Sequence, residues 1–249
     1  MNYKAFPNEY WQKIESTIVE LKNSGAELIA AFDADGTLWD ADLGENFFQY
    51  QIDHKQVSLP ADPWTHYLEM KKINDDPRDA YVWLAQINQG KKLADVRQWA
   101  QQAFDSIVPS PLFTEQKKLT EVLQSHGVKI YIITASIKWA VEPGARAMGL
   151  TAENVIGVET VVRDGIITNE PKLPITYRAG KVAALLNATN NKKPFLCSGN
   201  SIGDFELLEC ATHLPLAVSA ASRDDRLFRS ESELFSKAQP LGWWSHRFI

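Results

Sequence analysis

The sequence predicts an α/β protein: a doubly wound parallel sheet with a helical insertion. Two observations predict it. Short apolar runs that read as buried strands alternate with stretches of helical periodicity, as crossover helices require. Residues 45–110 hold helical patterns and no convincing strand. With 249 residues and 45% hydrophobic content, the chain suffices for one large domain or for a core carrying a smaller one. The expected division is a core of residues 1–44 and 111–249 with an insertion of residues 45–110.

The elements follow in order. Glu9 to Lys22 spaces Tyr10, Trp11, Ile14, Ile18 and Leu21 helically, and "NSGAE" breaks that helix before the first strand, "LIAAFDAD". From Glu45 to about Ser110, "SLPADPW" and "NDDPRD" separate helical stretches such as "DAYVWLAQI" and "LADVRQWAQQAF". "SPLFTEQKKLTEVLQSHG" is a helix stopped by Gly127, and "VKIYIITAS" is a second buried strand ending in hydroxyl residues. A helix follows Ser136, then one strand over "NVIGVETVVRDG" with a hairpin return at "IITNE", then a helix from Ala179 to Leu186. Phe195 to Cys197 is a strand, a helix begins near Asp204, "HLPLAVSAA" is a further strand, and "PLGWWSHRFI" is a packed tail. No internal repeat or low-complexity linker interrupts this order.

Charge narrows the function. With 26 basic and 31 acidic residues the net charge is −5, which gives no footprint for nucleic acid, and no basic tract offers contact with an anionic membrane. The first residues lack an apolar core of the secretory kind, and no run of about 18 apolar residues occurs, so cytoplasmic residence is the expectation. Cys197 and Cys210 cannot build a disulfide framework or a zinc site. Nothing in the composition indicates an oligomeric state.

Polar residues stand at three strand ends: Asp33 and Asp35, then Thr134 and Ser136, then Asn200 and Asp204. Lys181 opens a helix between the second and third. In an open parallel sheet such ends converge on one crevice. Carboxylates there hold Mg²⁺ through oxygen, a lysine and a hydroxyl bind phosphoryl oxygens, and one carboxylate can attack phosphorus.

These residues resemble the haloacid dehalogenase superfamily of aspartate-nucleophile phosphatases, in its phosphoserine-phosphatase-like branch. "DADGT" is similar to the family's first motif, "YIITAS" to the second, the lysine of "YRAGKVAAL" to the third, and "SGNSIGD" to the fourth. "GVETVVRDGIITNE" resembles its hairpin excursion. The resemblance implies a Rossmann-like core with a helical cap at residues 45–110, closing over the site. It implies Asp33 as the nucleophile, passing through an aspartyl-phosphate, and Asp35 as general acid and then base. Gly36 lets the chain turn so that Asp35 points away from Asp33, and Thr37 braces the loop.

By the same resemblance, Asp33 gives Mg²⁺ a carboxylate oxygen and Asp35 its backbone carbonyl, while Thr134, the Ala135 amide and Lys181 bind phosphate. Ser136 and Lys138 support them. The fourth motif departs from the commoner pattern, which has aspartate where Asn200 stands; this removes one negative charge from the metal cage. Asp204 is then the main ligand of that motif, or else it binds through water and Asn200 binds directly.

The expected reaction is Mg²⁺-dependent hydrolysis of a small phosphomonoester. An amine-bearing substrate such as phosphocholine, phosphoethanolamine or phosphoserine would meet Trp39 or Trp83, with Asp42 or Glu45, through cation–π and ion-pair contacts. For a substrate carboxylate only Arg78 and Arg97 offer themselves. Dehalogenation is disfavoured by the presence of Asp35. The alternatives are a phosphotransferase using the same intermediate and a weakly active phosphate-ligand sensor, the latter suggested by Asn200.

Overall fold

Residues 29–32, all apolar and buried on both faces, form the strand around which the chain is arranged. The computed structural model describes residues 3–249, so the first two residues of the expected core lie outside the described residues. Helix α1 (Asn8–Asn23) turns Tyr10, Ile14 and Ile18 inward and leads to β1 (Ile29–Phe32). The helical stretch follows as α2 (Leu43–Asp53), α3 (Pro63–Met70), α4 (Arg78–Gln86) and α5 (Leu93–Asp105). Helix α2 begins ahead of residue 45 because the Asp42 carboxylate accepts the Glu45 backbone N–H at 2.8 Å and caps it. Asp62 caps α3 in the same way, with Pro63 in its first turn.

The chain continues through α6 (Thr114–Ser125), β2 (Lys129–Ile137), α7 (Lys138–Ala147) and β3 (Val155–Val158). A hairpin of β4 (Thr160–Arg163) and β5 (Ile166–Pro171) precedes α8 (Ala179–Ala188) and β6 (Leu196–Gly199). Then come α9 (Phe205–Glu209), β7 (Leu214–Ser219), α10 (Phe228–Ala238) and β8 (Trp244–Arg247).

The main sheet is wholly parallel, in the order β3-β2-β1-β6-β7-β8. The chain builds outward from β1 to β3, returns to place β6 on the other side of β1, and builds outward again. The reversal lies between β1 and β6, which is where such sheets open a ligand crevice beyond their carboxyl ends.

Two strands differ from expectation. The single strand expected over Asn154 to Gly165 breaks after Val158, since β3 continues the parallel sheet while β4 pairs antiparallel with β5. Asp164 and Gly165, at φ 51° and 77°, form the tight turn that matches this twist. The tail is a sixth strand: β8 pairs with β7, and Phe248 beyond it stacks on Phe113 with ring centroids 4.1 Å apart.

The insertion shares a core with the sheet. Phe47, Phe48 and Ala100 belong to one buried cluster with Trp139, Val158 and Ile167, so α2–α5 rest on α7 and the hairpin side. Its two ends meet at a clasp, where the Asp40 N–H donates to Pro111 O at 2.9 Å and the Phe113 N–H to Leu38 O at 3.1 Å. Among the described residues no helix is long and apolar enough to cross a membrane.

Candidate active site

The crevice between β1 and β6 brings together residues far apart in sequence. Asp33 follows β1, its N–H donating to Ser198 O of β6 at 2.8 Å, and Asn200 follows β6. From the first turn of α8, Lys181 Nζ reaches Asp33 Oδ1 at 2.6 Å and Asp204 Oδ1 at 2.5 Å, with all three side chains buried. Asp204 Oδ2 accepts the N–H groups of Asn200 and Ser201 and the Ser201 hydroxyl, so its position is fixed by four donors in all. Burial works against the Lys181 charge, but Asp204 and Asp33 outweigh it and hold the ammonium above the ordinary lysine range. Burial and the Asp204 charge push Asp33 up to about 6, against the pull of Lys181.

Asp35 belongs to a different network. Its Oδ1 accepts the Trp39 indole N–H at 2.8 Å and the Leu43 backbone N–H at 2.9 Å, and its Oδ2 accepts the Ser136 hydroxyl at 2.6 Å. Burial and then the Asp42 charge raise it to about 8, although all three hydrogen bonds pull the other way. The separation of the two carboxylates rests on Gly36, at φ 77°, where a Cβ would come within 2.1 Å of Asn200 Nδ2. No side chain but hydrogen fits there.

Thr37 ties the loop across the crevice, its Oγ1 lying 3.0 Å from Asp33 Oδ2 and 3.2 Å from Asn200 Oδ1. One hydroxyl proton serves only one of these oxygens at a time, and Asp33 also takes a hydrogen bond from the Ala34 backbone. Among the described residues no cluster of three His, Cys, Asp or Glu side chains stands ready for a metal. The oxygen donors that the structure gathers here are the Asp33 and Asp204 carboxylates and the Asn200 amide oxygen, beside Asp35 in the cleft lining. Such an all-oxygen set with few charges fits Mg²⁺, which keeps waters and takes oxygens from a bound phosphate. Asn200 Nδ2 is held in turn by Glu231 Oε1 of α10 at 2.9 Å.

On the β2 side, Thr134 Oγ1 accepts the Ser136 N–H at 3.0 Å, which leaves its own proton to donate elsewhere. Thr134, Ala135 and Ser136 face a cleft of about 340 Å³, a size for a small molecule. Asp33, Asp35, Asp42, Glu45, Lys181, Asn200 and Asp204 line it too.

Trp39 and Trp83 do not line it, contrary to expectation. Trp39 is fully buried behind the loop with its indole committed to Asp35, and Trp83 packs edge-on against Phe48 and His66 within the insertion. Arg78 pairs with Asp76 on the surface and Arg97 with Glu142, so neither reaches the cleft. Lys138 likewise lies outside the cleft lining.

The aromatic and basic lining comes instead from Tyr67, Tyr81, Lys71 and Arg226. Lys71 Nζ lies 5.0 Å from the Tyr67 ring centre, 5.6 Å from that of Tyr81 and 3.3 Å from Glu45 Oε1. Arg226, ahead of α10, reaches Glu45 at 2.6 Å and Asp42 at 3.5 Å, and so joins the core to the insertion across the cleft. Burial and Glu45 push Asp42 up to about 6 despite Arg226 and Lys71. Glu231 left one trace in the sequence: with Leu234 and Ala238 it falls on the buried stripe of α10, where a charge is out of place.

Fold and site together define an α/β enzyme with a carboxylate and lysine centre at the switch point of its sheet. The chain belongs to the haloacid dehalogenase-like hydrolase family, whose sequence profile matches residues 30–209. It is 23% identical to the phosphorylcholine phosphatase of Pseudomonas aeruginosa, over 78% of this chain and 74% of that protein. Among solved structures, a protein of unknown function from Bordetella pertussis Tohama I shares the fold with a TM-score of 0.72 at 18% identity, covering 90% of this chain and 99% of the other. A phospho-aspartyl intermediate analogue of phosphoserine phosphatase shares it with a TM-score of 0.55 at 12% identity, covering 90% and 94%. The chain is thus a hydrolase of this family, and its relatives include phosphatases.

Proposed function

We propose that the protein is a Mg²⁺-dependent phosphatase that hydrolyses a small phosphomonoester bearing an amine, with residues 45–110 as the cap over the site. The observation that carries this reading is the contrast between two neighbouring carboxylates: Asp33 lies against an ammonium, whereas Asp35 has no cation within ion-pair reach among the described residues and is raised to about 8. Paired groups pushed into different states divide nucleophile from acid.

Asp33 attacks phosphorus, forming the P–O bond of an aspartyl-phosphate as the bond to the substrate oxygen breaks. Asp35, protonated at neutral pH, gives its proton to that leaving oxygen. Water then attacks the phosphoryl group, Asp35 takes its proton, and the bond to Asp33 breaks. Lys181, Thr134 Oγ1 and the Ala135 N–H bind phosphoryl oxygens throughout. Asp33, Asp204, the Asn200 amide oxygen and the Asp35 carbonyl would hold Mg²⁺, which when bound supplies positive charge against the phosphate dianion.

Asp42, Glu45, Tyr67 and Tyr81 support a cationic head group, since the wall they form already accepts the Lys71 ammonium. That the relative from Pseudomonas aeruginosa is a phosphorylcholine phosphatase points the same way. The test is turnover of an aryl phosphate, then of phosphocholine, phosphoethanolamine, phosphoserine and sugar phosphates, with and without Mg²⁺. Turnover that needs Mg²⁺, is lost in Asp33→Asn and is highest with the amine-bearing esters supports the reading. Wild-type turnover at the Asp33→Asn level overturns it.

A further inference from the structure

Glu231 lies far in sequence from every residue the reaction uses, yet it is 1% exposed and lines the cleft behind Asn200. Its Oε1 accepts Asn200 Nδ2 at 2.9 Å, and its Oε2 accepts the Ser219 hydroxyl at 2.6 Å and the Ala221 N–H at 3.0 Å. Among the described residues no basic side chain lies within ion-pair distance of it. A buried carboxylate held by hydrogen bonds alone is costly, and an apolar residue would suit the stripe it shares with Leu234 and Ala238 better. Something must use the charge.

We propose that Glu231 is the positioning residue of the metal site, supplying through Asn200 the negative charge that this position itself lacks. The proposal rests on the Mg²⁺ site described above. An asparagine amide can turn either end toward a cation, and only its oxygen can bind one. Glu231 removes that freedom: by accepting from the Nδ2 group it leaves Oδ1 turned to the Thr37 hydroxyl, which also reaches Asp33. The hydrogen bond to a carboxylate also drives electron density toward the amide oxygen. A neutral ligand is thereby made a better donor from one residue away, as carboxylates do for metal-bound histidines.

The test is Mg²⁺ binding by titration calorimetry, with apo-protein melting as the folding control. Glu231→Gln is expected to weaken Mg²⁺ about 10- to 100-fold, the usual effect of losing such a partner. In the double variant N200D/E231Q the charge moves onto the ligand. The amide nitrogen introduced on α10 would donate to the carboxylate introduced after β6, while its amide oxygen accepts Ser219 and Ala221, so every hydrogen bond is kept. The affinity of the double variant is expected within about threefold of wild type. A Glu231→Gln affinity within twofold of wild type overturns the proposal while leaving the metal site standing. Wild type that binds no Mg²⁺ overturns both. If Glu231→Gln does not fold, the double variant decides: wild-type affinity supports the proposal, and a loss beyond tenfold overturns it.

Discussion

The Trp39 indole N–H donates to Asp35 Oδ1 at 2.8 Å from a ring with no exposed surface, so the largest buried side chain of the loop is spent on orienting one carboxylate. Trp39→Phe removes the donor and the outer part of a ring whose far edge lies against Gly144. The lost partner is expected to cost about 1–3 kcal/mol, and the cavity left beside Gly144 adds to that. Turnover is expected to fall more for alkyl than for aryl phosphates, since only the former need a well-placed acid. Equal losses with both esters would show that the contact does not serve proton transfer.

Asp35→Asn gives a pH test whose sign is fixed by the raised value of about 8. In wild type the folded state holds a proton that the unfolded state releases from about pH 4 upward, so this residue costs stability as pH rises from 4 to 8. The amide carries no such cost. Its oxygen can accept from Trp39 and Leu43 while its nitrogen donates to Ser136. In chelator, the variant is expected to melt above wild type at pH 8, with the gap closing toward pH 4; a gap constant across that range contradicts the assignment.

Lys181→Met leaves Asp33 and Asp204 facing each other without their ammonium. Breaking a buried pair in this way is expected to destabilise by about 3–5 kcal/mol. Mg²⁺ is expected to raise the melting temperature of this variant more than that of wild type, because the cation restores part of the missing charge. No differential rise would separate the lysine from the metal site.

Glu45→Gln addresses the substrate. It lies in the Lys71, Tyr67 and Tyr81 wall, and its loss is expected to raise KM for phosphocholine about tenfold while leaving kcat/KM for an aryl phosphate within twofold. An unchanged KM for phosphocholine would remove this wall from head-group recognition.

Gly36→Ala combines a left-handed backbone with a Cβ placed 2.1 Å from Asn200 Nδ2. The residue beyond must move, and Mg²⁺ affinity is expected to fall with stability, both read from melting curves across a Mg²⁺ series. A stable variant of normal affinity would mean that the loop and Asn200 shift together at no cost.

The gathering of these side chains was legible because it is written in short, local patterns: Asp33, Asp35, Asn200 and Asp204 follow strands, Lys181 opens a helix, and Thr134 stands near the end of β2. The cleft wall was not. Trp39 looked like a surface for cations because a sequence does not say which way an indole points, and the structure commits it to Asp35. Arg226 and Lys71 belong to segments whose closeness depends on how α2–α5 settle on the core. The sixth strand was missed for another reason, since a short run containing Ser245, His246 and Arg247 shows little alternation until β7 supplies its partner.

The clasp at Asp40 and Pro111 has an implication for how the molecule can vary. Because entry and exit of this stretch are pinned side by side, a change of length within it need not move β1 apart from β2. The same stretch carries Asp42 and Leu43, whose charge and N–H act on Asp35. A chimera joined at the clasp would therefore have to keep those two residues for Asp35 to keep its setting.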